Sequence, residues 1–498
     1  MTTAGADLLR ELSRIVGAGH LVAERAEREF YSTDMSYGPV EPADAVVRPS
    51  SAAEVASVVE CAHAAGVAIT ARGGGMTYTG AYTPTRRGTV LLDMSRLNSI
   101  CEINGDDLYV TAECGCTWEK LYLELREQGL RTPFAGTSSG RYATVGGTLS
   151  TNGVFLGCSR FGTAADSVLG LEVVTAGGRL VRTGSGGHAS GVPFFRYLGP
   201  DLTGIFLADT GAFGVKTAAT LKLLPIPAHA RSLSFAFDTF AASIDTMAGM
   251  ARFGLASEIY SLDPHYHRSL ANAGFAFLEG LEWSIHLTVE AADDQSAQAG
   301  AALLREVGAR HGRELEPALP TALREDPFGG VRWALLNRDG EIWMPTHGII
   351  PFSRAHQAAR KIGELLDREA ATLERYAITT SYQTVAVGPH WIFEVAFYWP
   401  DEVGRFRLEK IDPSEAERFA SIPANPEARR EGLRLRREVS DLFARLGGAQ
   451  LQLGRYYAYE SVLEPAAWKT LTELKTTLDP HGLMNPGALG LPGGQTGS

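Results

Sequence analysis

Apolar positions along this chain follow two periods, and the period changes from one short stretch to the next. Residues 52–65 read as a helix, opened by a capping box of Ser51 and Glu54 and stopped by Gly66. V-A-I-T-A (67–71) reads as a strand that runs straight into three glycines. Further strands are predicted at 89–93 and 108–112, a helix at 118–127, and a hairpin with a Gly-Gly turn over 171–183. One more strand, 217–224, is stopped by Pro225 and Pro227. Beyond Pro227 the texture changes. S-L-S-F-A-F (232–237) alternates as a half-buried strand, a helix runs to about 253, strands follow near 257–262 and 283–290, and a helix over 294–311. Strands near 341–350 and 378–399 and helices near 353–370 and 426–446 complete the pattern. That order predicts an antiparallel sheet with helices on one face. The last forty residues hold a helix over 464–477 and then D-P-H-G-L-M-N-P-G, too rich in turns to be fixed by itself. The expected fold class is α+β, with domains over 1–227 and 228–455 and a terminal segment, 456–498, that must be fixed by something outside itself. No internal repeat is visible.

With 498 residues, the chain exceeds what one core supports. Apolar residues make up 45% and charged residues 21%, which is ordinary for a water-soluble chain. The formal charge of −11 argues against nucleic acid and anionic membranes as partners. The first twelve residues carry acids and no apolar core of a signal peptide, and no run approaches the roughly 20 apolar residues of a membrane span. The expected location is cytoplasmic. Cys61, Cys101, Cys114, Cys116 and Cys158 are odd in number and form no C-x-x-C, so buried reduced thiols are expected.

The chemistry concentrates in four loops that interleave glycine with Ser and Thr. R-G-G-G-M-T (72–77) brings Arg72, Gly73, Gly74, Gly75, Met76 and Thr77, with Gly80 just beyond. F-A-G-T-S-S-G (134–140) brings Gly136, Thr137 and Ser138. Thr144 and V-G-G-T-L-S-T-N-G (145–153) bring Gly146, Gly147, Ser150, Asn152 and Gly153. G-C-S-R-F-G-T-A-A-D-S (157–167) brings Gly162 and Ala165. Such loops offer N–H and hydroxyl donors without bulk, which suits a long diphosphate ligand; the bland alternative is four unrelated turns. Neither G-x-G-x-x-G nor G-K-[ST] occurs there, and the chain has no H-E-x-x-H. His265-Tyr266-His267, read on a strand, is more often structural than metal-ligating. Gly136–Gly140 matches G-x-S-x-G around Ser138, but loop-like sequence on both sides speaks against a nucleophile elbow and a serine hydrolase.

Taken together, R-G-G-G-x-T, L-D-M-S-R-L-N, A-T-V-G-G-T-L-S-T-N-G, R-F-G-T-A-A-D-S-V-L-G-L-E-V-V-T-A-G-G, G-A-F-G-V-K-T-A-A-T-L-K-L and the closing L-D-P-H-G-L-M-N-P-G resemble the vanillyl-alcohol oxidase superfamily, also known as the p-cresol methylhydroxylase (PCMH) type. The resemblance covers about 45–227 and the last thirty residues. It implies an FAD-dependent oxidoreductase with a PCMH-type FAD-binding domain of two α+β subdomains and a cap domain that holds the substrate. Gly73–Thr77 would cradle the FAD diphosphate, Val215 and Asn485 would join the cofactor site, and the flavin would take a hydride at N5. Many members link FAD to a His where this chain has Met76, or to a Cys where it has Tyr142, so noncovalent FAD is expected; His347 or His390 of the cap is the remaining route to a covalent link. The His-rich metal motifs of the D-lactate dehydrogenase and glycolate oxidase members are missing, and no metal is expected. Tyr78 aligns with a phenolate-binding tyrosine, and Arg455, Tyr456 and Tyr457 precede the returning segment; with His390 they are the candidate catalytic residues. P-H-W-I-F-E-V-A-F-Y-W-P (389–400) lines a pocket or packs in the core. The substrate would be a small organic alcohol, a phenolic or benzylic alcohol or a 2-hydroxy acid, and the partners O2 or another electron acceptor, with a homodimer left open. The alternative is an electron-carrying subunit with catalysis in a partner.

Overall fold

The computed structural model describes residues 3–37, 41–331, 335–337 and 339–493. Helix Ala52–Ala64 begins where the sequence places it, with the Ser51 hydroxyl accepting from the Glu54 N–H; the Glu54 carboxylate reaches back to the Ser50 N–H instead of Ser51. Its apolar face covers a four-stranded sheet in the order Leu21–Val22, Ala45–Val47, Thr89–Asp93, Ala68–Arg72. The last three strands are parallel, and the connecting helix satisfies the crossover that parallel pairing demands. A second sheet, all antiparallel, runs Ile100–Asn104, Tyr109–Glu113, Val215–Lys222, Val168–Val174, Leu180–Arg182. The predicted hairpin is its last pair, and both turn glycines, Gly177 and Gly178, have positive φ.

The third sheet has seven antiparallel strands, in the order Arg313–Leu315, His229–Phe237, Trp283–Ala291, Ala256–Leu262, Thr379–Val387, His390–Pro400, Glu341–Pro351. Alternation sorts its residues between two faces. In the aromatic strand 390–400, Trp391, Phe393, Val395, Phe397 and Trp399 are fully buried toward helices such as Pro426–Arg445, while Ile392, Glu394 and Tyr398 face a cavity. Both readings of that strand therefore hold, on opposite faces. The long helix lies close because Gly432 has no side chain: a Cβ there would stand 2.8 Å from the Trp399 ring.

The terminal segment finds its support outside itself, as its composition requires. Met484 pairs beside Ile69, with the Ile69 N–H donating to Leu483 O and the Asn485 N–H to Ile69 O, so residues 483–485 extend the first sheet. One local expectation fails. His265–His267 lie in the helix Pro264–Ala271, not on a strand; Asp263 caps it and Pro264 occupies its first turn, a helix-start signal stronger than the local alternation. Among the described residues no three His, Cys, Asp or Glu side chains are grouped to hold a metal, and no helix is long and apolar enough to cross a membrane. Cys114, Cys116 and Cys158 are buried, whereas Cys101 is exposed on a sheet edge.

Candidate functional site

The strand Ala68–Arg72 ends at the glycine loop, and three other segments converge on it. The Gly74 position backs directly onto the Tyr142 carbonyl and the Gly73 position onto the Thr144 hydroxyl, so a side chain at either would collide with the neighbouring loop. Gly75 has φ of 75°. The glycines thus let protein backbone meet protein backbone. The N–H groups of Gly74, Gly75 and Met76 donate to no acceptor among the described residues. They line one cleft with Thr144, Gly147, Ser150, Gly153, Thr210 and Val215. Thr144 caps the helix Val145–Thr151 by accepting from the Gly147 N–H. Arg72 Nε and Thr210 Oγ1, both in the cleft wall, are buried without partners. A glycine cradle with free N–H donors fits a diphosphate, and the unpartnered polar atoms fit a ligand that supplies acceptors.

Of the expected cofactor residues, Arg72, Gly73, Gly74, Gly75, Met76 and Thr77 line this cleft, as do Thr137, Thr144, Gly146, Gly147, Ser150, Gly153 and Val215. The structure does not bring Gly80, Gly136, Asn152, Gly162, Ala165 or Asn485 to its wall. Gly136 packs against Trp118 and Phe328, Gly162 holds a left-handed turn against Asp166, and Ala165 accepts from Arg196. Asn152 ends the helix in the left-handed region. The Gly80 N–H donates to Asp34. Asn485 stands behind the wall: its amide donates to Ala81 O and Thr210 O and accepts from Thr70 and Arg455. Ser138 lines the adjoining cavity, in a stretch without the strand and helix of a nucleophile elbow. Sequence reasoning passed over Asp209 and Thr210, just before the G-A-F-G-V-K motif; the Lys216–Asp209 pair, 2.5 Å apart and fully buried, lies at the floor of the cleft.

Beyond Met76 the cleft opens into a cavity of about 450 Å³; Met76, Thr137, Ser139 and Gln452 line both. Strand register supplies its far wall. His347, Glu394, Gln383 and Leu262 are direct cross-strand neighbours on four successive strands, so all four point into it. His347 Nε2 lies 2.7 Å from Glu394 Oε2, and Tyr266 donates to Glu394 Oε1 at 3.2 Å. A carboxylate accepts, so the imidazole proton sits on Nε2, and Nδ1 is buried with no partner. The Tyr78 hydroxyl lies 3.4 Å from His347 Nε2, and its ring packs edge-on against Trp343. Burial holds the Tyr78 phenol well above its ordinary pKa, with Glu394 adding to the effect, so it stays protonated.

Of the candidate catalytic residues, Tyr78 alone lines this cavity. Arg455 is pulled down to about 10 by burial, and its guanidinium is fully engaged by Gly80 O, Pro486 O and Asn485, tying the 80-loop to the terminal segment. Tyr456 is held between Arg436 and Arg437, 3.7 and 4.2 Å from its ring. Tyr457 is buried behind Tyr78, pushed up to about 12 by burial. His390 begins its strand at the exposed hairpin tip, on a surface groove with Phe195 and Arg196, away from the cavity. Glu394 and Tyr266 were missed; the signal available was a lone acid inside an apolar strand, W-I-F-E-V-A-F, which is rarely buried without a task.

Comparisons with known proteins agree with this geometry. The FAD binding domain family matches residues 43–184, and the C-terminal domain of FAD linked oxidases matches residues 454–489. The chain is 31% identical over 242 residues to the glycolate oxidase subunit GlcD of Bacillus subtilis, covering 49% of this chain and 50% of that protein. It spans about half the length of the curated relatives it matches. Its fold is that of 4-ethylphenol oxidase from Gulosibacter chungangensis, solved with isoeugenol: TM-score 0.77 at 18% identity, over 99% of this chain and 98% of the other. The same values relate it to p-cresol methylhydroxylase, solved with substrate bound.

Proposed function

We propose that the chain, which carries an FAD binding domain over 43–184 and the C-terminal domain of FAD linked oxidases over 454–489, is an FAD-linked oxidoreductase that binds FAD without a covalent link and oxidises a neutral alcohol or phenol with an aromatic or apolar body. The observation that carries this reading is the His347–Glu394 pair in a cavity that opens onto the cofactor cleft. Bound FAD supplies a two-electron acceptor for a hydride from the substrate carbon. His347, paired with Glu394, takes the hydroxyl proton as that C–H bond breaks. Glu394 stabilises the imidazolium and fixes its tautomer, and Tyr266 holds Glu394 in place. Tyr78, kept neutral, donates a hydrogen bond to the substrate oxygen. Trp343, Tyr260 and Tyr398 flank the substrate body and exclude water.

A 2-hydroxy acid is the second reading, favoured by the likeness to the glycolate oxidase subunit. Its carboxylate would face Glu394 and Asp326, and among the described residues of the cavity wall there is no Lys or Arg to offset them. A cavity of this size beside the cleft supports chemistry within this chain, in preference to an electron-carrying subunit, and the reading leaves O2 and other electron acceptors equal. We take residues 1–227, 228–455 and 456–498 as the cofactor domain, the cap and the returning segment. The test is Glu394→Gln: flavin content should stay at the wild-type level, while the rate of flavin reduction falls at least about tenfold and its pH dependence shifts, as expected for loss of one charged hydrogen bond. An unchanged rate and pH profile would remove the pair from the mechanism.

A further inference from the structure

Beside the glycine loop stand two cations, one with only a long ion pair and one with no carboxylate partner among the described residues. Arg72 is buried, its Nε has no partner, and its nearest carboxylate, Asp93, is 3.9 Å away. The guanidinium is enclosed by the rings of Phe30, Tyr31, Tyr82 and Phe406 at 5.2–5.9 Å. The second cation comes from the cap. Lys410 Nζ lies 4.0 Å over the Phe406 ring and 5.2 Å from the Tyr142 ring. These two side chains locate it. Phe406 would stand 2.7 Å from a Cβ at Gly75, and the Tyr142 backbone abuts Gly74. Through Phe406, the ammonium is thus placed near the Gly75 end of the loop, whose N–H groups are free.

Among the described residues, no carboxylate lies within 4 Å of Lys410; the adjacent Glu409 is taken by Arg405. Burial, and then the charge of Arg72, pull the Lys410 ammonium down to about 8. Two like charges held together over unpartnered N–H donors, inside aromatic walls, are stabilised by an anion between them. We propose that Lys410 and Arg72 form an anion seat for the FAD diphosphate, so that the cap itself holds the cofactor and closes over the cleft when FAD binds. The cap then acts in cofactor retention as well as in covering the substrate.

The experiment is a fluorescence titration of apoprotein with FAD. Lys410→Met keeps the stem between the two rings and removes the charge, and Lys410→Arg keeps the charge. The Met variant should raise the Kd for FAD at least about tenfold and the Arg variant by less than about threefold. Apoprotein Tm and circular dichroism serve as the folding check. Should the Met variant not fold, the wild-type protein decides: its FAD affinity should fall steeply from low to high salt. A Met variant that loses less than tenfold, an Arg variant that loses as much as Met, or a salt-independent wild-type affinity would overturn the assignment.

Discussion

Acid should loosen the cap at one identifiable place. His286 is fully buried, and its ring accepts from Ser234 at Nδ1 and donates to Ser284 at Nε2, at 2.9 and 2.7 Å. Ser284 in turn donates to His267 Nε2 at 2.7 Å, and His267 Nδ1–H donates to Leu281 O. That carbonyl can only accept, so it fixes the direction of the whole chain and keeps both imidazoles neutral. Burial pushes His286 down to about 3, with His267 adding to the effect, and His265 down to about 4. In the unfolded chain each would titrate near 6.5. Stability from such a group is fully present above that value and is lost as pH falls toward the folded pKa. Between pH 8 and pH 5 each of these two histidines removes about 2 kcal/mol, a large share of the roughly 5–15 kcal/mol that holds a domain together. Asp263, raised by burial to about 6, and Glu258, also raised, act in the opposite direction, so the comparison with a variant carries the test. Denaturant unfolding of wild type and His286→Gln at both pH values should show the variant less stable at pH 8, with its loss on going to pH 5 smaller by about 2 kcal/mol. Equal losses in the two proteins would refute the reasoning. The functional link is close, because the helix that His267 anchors carries Tyr266 to Glu394.

Three further outcomes are expected. Acid precipitation should release the flavin into the supernatant, since Met76 and Tyr142 offer no nucleophile; a fluorescent pellet would contradict this. Gly74→Val should purify with little FAD, because the new side chain would displace the Tyr142 loop, whereas Gly147→Ala, whose Cβ meets only Thr144 Oγ1 at 3.2 Å, should keep most of it; equal flavin content in both would mean the cradle is misread. Arg455→Ala should lower the unfolding free energy by about 1.5–3 kcal/mol, since it removes the charged hydrogen bonds to Gly80 O and Pro486 O and leaves them only the Thr83 and Thr85 hydroxyls, with kcat/KM per bound flavin changed by less than about threefold; a large kcat/KM loss at unchanged stability would restore Arg455 to the substrate.

The glycine loops were legible because they are contiguous: R-G-G-G-M-T and A-T-V-G-G-T-L-S-T-N-G each place their own backbone, and the terminal D-P-H-G-L-M-N-P-G announces that it docks elsewhere. The cavity was not, because its wall is assembled across strands. His347 and Glu394 are 47 residues apart and meet only through register, and Tyr266 arrives on a helix that the alternation of H-Y-H disguised. Arg455 and Asn485, read from the sequence as catalytic and cofactor residues, stand at the junction of the terminal segment, where their side chains bond each other and the 80-loop. Cations near a ligand loop can equally be struts, and only the inventory of carbonyls around them separates the two.

The central claim is most directly tested by anaerobic mixing of the holoprotein with a panel of substrates, scored by bleaching of the flavin. Neutral phenolic and benzylic alcohols should bleach it, and Glu394→Gln should slow that bleaching without loss of bound flavin. Bleaching by D-2-hydroxy acids alone, or by no member of the panel, would contradict the account.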